Sequence, residues 1–174
     1  MRNKLGLLLL CVMLLSGCER GTATVGNEMT APLDRIVQAV TSGNVGAYES
    51  AFPQTFCEQY QAQTGDLQDY LQLLLTGARE FDLDRYGTDA AITYELTAMT
   101  RLDVSSVEQY CQIFSPDFVC SLPTESLTDA AKISVTVYFG GSYDKESFDL
   151  TYTVLCIDGT WVLHPKHFGT VLKK

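Results

Sequence analysis

The apolar residues of this chain change their spacing once, near residue 90, and that change fixes the class of fold open to it. Before it they recur every three or four residues. Leu33, Ile36, Val37 and Val40 lie on one face, then Val45, Tyr48 and Phe52, then Phe56, Cys57 and Tyr60. The longest run is Leu67, Tyr70, Leu71, Leu74, Leu75 and Ala78. This is the period of amphipathic helices. After residue 90 the apolar residues alternate with polar ones. Ile92, Tyr94, Leu96 and Ala98 form one such set, Ile133, Val135, Val137 and Phe139 a second, and Phe148, Leu150, Tyr152 and Val154 a third. Alternation is the period of a strand with one buried face. Helices first and an antiparallel meander after them predict an α+β domain, with helices packed on one face of a curved sheet.

Local signals punctuate the elements. Thr30 before Pro32 predicts a helix start, and Ser42-Gly43 a stop. Asn44 and Asp66 are placed to cap later helices, and the last of these ends near Arg85-Tyr86-Gly87. Ser105 with Glu108 three residues on is a capping-box pattern. It predicts a helical insert carrying Val107, Tyr110, Cys111 and Phe114. Gly140-Gly141-Ser142 with Asp144 marks one strand turn. Asp158-Gly159 marks another, a pair that accepts positive φ at both positions of a tight hairpin. Trp161 and Leu163 begin the return strand, and Pro165 ends it.

The first 17 residues belong to none of this. Arg2 and Lys4 precede an apolar run from Leu5 to Leu15, and the small residues Ser16 and Gly17 precede Cys18. The run is too short for a membrane span, which needs ~20 apolar residues, and has the layout of a secretion signal. Leu15-Ser16-Gly17-Cys18 resembles the lipobox of bacterial lipoproteins at every position. The resemblance implies cleavage before Cys18, a diacylglyceryl group on its sulfur, and a lipid-anchored protein on the extracytoplasmic face of the cell membrane. Two acyl chains hold stably where one holds only marginally. Residues 1–17 are thus expected to be a signal peptide, 18–30 the lipidated cysteine and a flexible tether, and 31–174 a single domain.

Charge narrows the partners. Removing residues 1–17 takes away two cations and no acid, so the formal net charge moves from −9 to about −11. Such a surface repels nucleic acid and anionic headgroups. The expected partners are the bilayer, through Cys18, and a protein or small-molecule ligand. No cofactor is expected: the chain has no phosphate loop, dinucleotide fingerprint or Gly-x-Ser-x-Gly.

Cys57, Cys111, Cys120 and Cys156 remain after the signal and the anchor. Export permits disulfides, four cysteines allow three pairings, and four buried thiols are the alternative. Cys111 and Cys120 flank a turn at Ser115-Pro116 and are the favoured pair. Cys57 with Cys156 would then join a helix to a late strand.

The other reactive side chains are sparse. His164 and His167 lack the i, i+4 spacing of a helical metal pair. Asp82, Asp84 and Arg85 cluster at a helix end, as a cation site or a solvated loop. Tyr94, Tyr138 and Tyr152, with Tyr143, are placed either to rim a pocket or to pack a sheet face. Cys156 has no base beside it in the sequence.

The order of elements, closed by Ile157-Asp158-Gly159-Thr160-Trp161-Val162-Leu163 and opened by a helix ending in Ser42-Gly43-Asn44-Val45, resembles the nuclear transport factor two-like fold. It looks most like small bacterial lipoproteins of unknown function that carry this cone-shaped α+β domain. The resemblance covers roughly residues 31–168 and implies a bent sheet that encloses a pocket with its helices. Some relatives of that fold use the pocket for dehydratase or isomerase chemistry with an internal acid, and others bind small molecules. The expectation for this chain is a membrane-anchored ligand-binding or protein-interaction module. The alternative is a small-molecule enzyme using an acid in the pocket.

Overall fold

The computed structural model describes residues 23–112 and 119–172, with side chains omitted for 23–27 and 110–112. Four helices come first: α1 (Ala23–Ser42), α2 (Val45–Ser50), α3 (Gln54–Thr64) and α4 (Leu67–Tyr86). Six strands follow: β1 (Ala91–Leu102), β2 (Tyr110–Gln112), β3 (Val119–Ser121), β4 (Leu127–Gly140), β5 (Lys145–Ile157) and β6 (Thr160–Leu163). Strands β1, β4, β5 and β6 form an antiparallel sheet in that order, and β2 and β3 form a separate hairpin. The α+β class and the meander expected from the spacing are present.

α1 starts earlier than its signals predict. Ala23 is its first residue, and Pro32 lies inside it rather than in its first turn. Met29 and Thr30 are buried, so packing of Met29 into the core outweighs the backbone hydrogen bond that Pro32 cannot make. Residues 23–30, expected within the tether, are helical. α1 stops where expected, with Gly43 at φ 68°, a conformation that costs a residue without Cβ nothing. Asn44 then caps α2 by accepting from Ala47 N at 3.1 Å. Asp66 makes no such capping bond; Gln61 Oε1 takes Leu67 N instead, at 3.0 Å.

The capping-box reading of Ser105 and Glu108 is overturned. Only a 3-10 turn forms, at Val104–Ser106, and Asp103 caps it by accepting from Ser105 N. The chain then runs into β2, with Cys111 opposite Cys120 of β3. The non-local pairing of two strands wins over a one-turn helix signal worth about 1 kcal/mol. Phe114 lies outside the described residues.

The sheet's inner face carries Ile92, Ile133, Val135, Val137, Tyr152, Val154 and Trp161 and packs on the helices as one core. Its outer face is polar over much of its length: Ser134 meets Thr151 at 3.2 Å, and Thr136 donates to Asp149 at 2.7 Å. At one end the insert between β1 and β4 covers it, and Val107, Leu122, Leu127, Ala130, Leu155 and Val162 make a second, smaller core. A bulge between Leu96 and Ala98 shifts the register. An extra residue in one strand reverses which side chains face inward. Ala98 thereby leaves the face that the plain alternation assigns to it, and Met99 opposes Ile133.

Two joints fix the layers. The Arg35 guanidinium donates to the carbonyls of Ser50 and, at 3.0 Å, Trp161, while Leu163 N donates to Ala51 O at 2.7 Å. These bonds occupy the free edge of β6 and tie it to α2. At the other end Arg85 pairs with Glu146 at 2.7 Å and Asp144 at 3.5 Å. Beside it Gly141 lies so close to the Tyr86 carbonyl that a Cβ would overlap it. Among the described residues the buried side chains of both cores lie between Met29 and Val171.

Candidate functional site

The space between helices and sheet is where the resembled fold implies a pocket. Here the chain's own C-terminal segment occupies part of it. After β6 a 3-10 turn, Pro165–His167, delivers Phe168 into the helix layer, where it is 2% exposed. Its ring lies 4.9 Å from that of Phe56, 5.2 Å from Phe52, 5.4 Å from Tyr60, 5.8 Å from Tyr70 and 5.9 Å from Tyr48. Several of these pairs meet edge to face, the arrangement aromatic quadrupoles favour. Tyr48 and Tyr152 hold the segment further, their hydroxyls accepting from Gly169 N and Leu172 N at 3.2 and 3.4 Å. Among the described residues the buried polar or charged ones are Thr30, Thr153 and His164, and none carries a carboxylate.

The two histidines are structural. His164 Nε2 donates to Glu108 O at 2.9 Å, and its Nδ1 accepts from Lys166 N at 3.1 Å. His167 Nε2 accepts from Thr153 N at 2.9 Å, and its ring stands edge-on to Tyr152. Each acceptor lone pair is already taken by backbone, which leaves neither ring free to bind a metal through it. Burial lowers the pKa of both rings, that of His167 to about 4, with Lys166 adding to the effect. Both are neutral at pH 7.

The three tyrosines expected at a rim do not share one. Tyr94 lines a cleft of about 670 Å³ between α1 and β1. It donates to Asp34 Oδ1 at 2.5 Å, and burial together with that carboxylate pushes its pKa up to about 12. Tyr152 is buried in the core, and its phenol is likewise pushed up to about 12, by burial. Tyr138 lies on the opposite, solvent side of the sheet, its hydroxyl 3.4 Å from Glu95. Tyr143 is exposed at the β4–β5 turn. Arg85 joins α4 to β5 and makes no ion pair with Asp82 or Asp84.

Cys120 is disulfide-bonded, and Cys111 stands opposite it in backbone register, its side chain outside the described ones. The expected Cys57–Cys156 bond is absent, and both are buried free thiols. Burial, with Glu49 nearby, pushes the Cys57 thiol up to about 12, so little of it is thiolate at neutral pH. The signal and Cys18 lie outside the described residues. Among the described residues no helix is long and apolar enough to cross a membrane, and no group of His, Cys, Asp and Glu has the geometry of a metal site.

Another concavity lies where α2, α3 and the start of α4 meet the β5–β6 hairpin. It is an open groove of about 1000 Å³. Phe52, Leu67, Ile157 and Val162 contribute apolar surface, and Glu49, Glu58, Asp66, Asp69 and Asp158 surround it with no basic residue among the lining. Glu49 and Glu58 accept from the neutral amides of Gln68 and Gln54, each at 2.7 Å. Among the described residues the ion pairs belong to Arg85 and Arg101, and neither involves these acids. Asp158 is held in place by the tight hairpin, at φ 49°. Sequence reasoning missed this site. Its acids come from separate segments between residues 49 and 158, and only the overall charge gave any sign of them.

Compared with known protein families, characterised proteins and solved structures, the chain matches none.

Proposed function

We propose that this chain is a lipid-anchored, extracytoplasmic interaction module whose contact surface is the groove between α2, α3 and the β5–β6 hairpin. The groove carries the reading: it has a volume of about 1000 Å³, it combines apolar surface with unpaired charge, and it is open to solvent. Its walls are preformed, because Arg35 ties α2 to β6. A preorganised surface spends less of its contact energy on ordering.

The address rests on Leu15-Ser16-Gly17-Cys18. With Cys18 as the first residue of the mature chain, five residues, Cys18 included, precede Ala23. That stretch reaches at most ~18 Å at ~3.6 Å per residue. The domain is then held close to the bilayer, and α1 separates the anchor from α2 by a 20-residue helix, ~30 Å long. A bond between Cys111 and Cys120, which suits an oxidising compartment, belongs to the same reading. We also read the fold as nuclear transport factor two-like, on the strength of four helices followed by a curved antiparallel meander with an Asp-Gly hairpin.

The enzyme alternative needs a buried acid, and the described residues supply none. Photo-crosslinking in intact membranes tests the module reading. A benzophenone residue at Ala62, exposed beside the groove, should trap a discrete neighbour. The same residue at Lys132, exposed on β4, should not. Equal trapping at both positions, or trapping at Lys132 alone, would remove the groove from the proposal.

A further inference from the structure

We infer that the groove docks a cationic, amphipathic segment of another exported protein; this deepens the module reading and rests on it. Five carboxylates stand around apolar surface, and no Lys, Arg or His lines the same concavity. An anionic or nucleic-acid partner would be repelled there. A purely apolar partner would leave the carboxylates facing a dry surface without compensation, which costs more than it gains. Lys and Arg satisfy both requirements at once, because their stems are aliphatic and their heads charged.

The carboxylates are also available. Glu49 and Glu58 engage only neutral glutamine amides, and Asp66 makes no capping bond with the helix it precedes. An incoming ammonium or guanidinium would replace neutral hydrogen bonds with charge-assisted ones, which are about twice as strong. The spread of the acids over three helices and a hairpin suits several charges on one strand of peptide. It does not suit a single metal ion, and no metal geometry is found among the described residues. The shape agrees: the trough is open rather than closed over, and small-molecule sites bury most of their ligand.

The test uses the chain from residue 18 onward with Cys18→Ser, which retains every residue of both cores. Three short synthetic peptides share one apolar pattern and carry Lys, Gln or Glu at the polar positions. Binding of each is measured by isothermal titration calorimetry, at low and at physiological salt. The Lys peptide should bind at least about tenfold more tightly than the Gln peptide, and its affinity should fall with salt. Asp66→Asn, Asp69→Asn and Asp158→Asn together should weaken it about tenfold. Asn tolerates the positive φ at residue 158, so the fold should survive. Glu80→Gln with Asp84→Asn, which removes charge from α4 outside the groove lining, should change the affinity less than about twofold.

Equal affinity for the Lys and Gln peptides would refute the cationic partner while leaving a docking groove. Equal weakening by the two sets of substitutions would refute the local claim and leave only a general charge effect. If none of the three peptides bound and crosslinking from Ala62 also failed, the inference and the module reading would both fall.

Discussion

Acid should loosen this domain through one histidine, and the size of the effect follows from the geometry. His167 Nε2 must be unprotonated to accept from Thr153 N at 2.9 Å. Burial holds its pKa at about 4, against 6.5 for an ordinary imidazole. Because the folded value is the lower one, the stabilisation is fully present above pH 6.5. It is lost as the pH falls from there toward 4, since the unfolded chain binds the proton first. The linkage relation makes that loss about 2 kcal/mol by pH 5 and about 3 kcal/mol by pH 4. His164 acts in the same direction. The perturbation that isolates His167 is His167→Gln, whose Oε1 can accept from Thr153 N and does not titrate. Urea unfolding of both proteins at a series of pH values reads the free energy directly. The wild-type curve should fall away from that of His167→Gln between pH 7 and pH 4 by about 3 kcal/mol, every other titrating group being common to the two. Parallel curves would refute the claim that a neutral, hydrogen-bonded imidazole supports the C-terminal segment.

Phe168→Ala empties the centre of the aromatic cluster and should cost about 3–5 kcal/mol, measured by thermal or denaturant unfolding; a cost below about 1 kcal/mol would mean the segment is not packed as described. Removing the Cys120 disulfide by Cys120→Ser should cost roughly 2–3 kcal/mol if its partner is Cys111, because the loop closed is short. Mass mapping of the unreduced protein should show a peptide joining Cys111 to Cys120 and free thiols at Cys57 and Cys156. Arg35→Ala breaks the tie between α2 and β6 and should cost about 2 kcal/mol. Amide exchange in Thr160–Leu163 should rise more than in β4.

Much of the architecture was legible because it is encoded by period. The helices from Leu33 to Ala78 and the strands containing Ile133 and Tyr152 announce themselves through which positions are apolar, and burial rewards that pattern directly. The misreadings share a cause: a local signal met a longer-range competitor. Ser105 and Glu108 match the capping-box pattern, but Asp103 caps a 3-10 turn there and Cys111 pairs across a hairpin with Cys120, so no α-helix forms. Thr30 and Pro32 look like a helix start, but Met29 is buried and draws the helix back to Ala23. Ala98 fits the alternation until a bulge resets it.

The candidate site was hardly legible at all. Glu49 on α2, Glu58 on α3, Asp69 on α4 and Asp158 in the hairpin meet only after folding, and no spacing rule connects them. The same holds for Phe168. It follows the last strand with no periodic pattern of its own, yet it lies buried at the centre of the helix-layer aromatics.

The reading depends on where this domain is held, and one mass measures that. The protein is extracted from native membranes and digested, and its first peptide is weighed. The account predicts a chain that starts at Cys18 and carries a diacylglyceryl group on its sulfur. A peptide that still begins at Met1, or a Cys18 with an unmodified thiol, would contradict it.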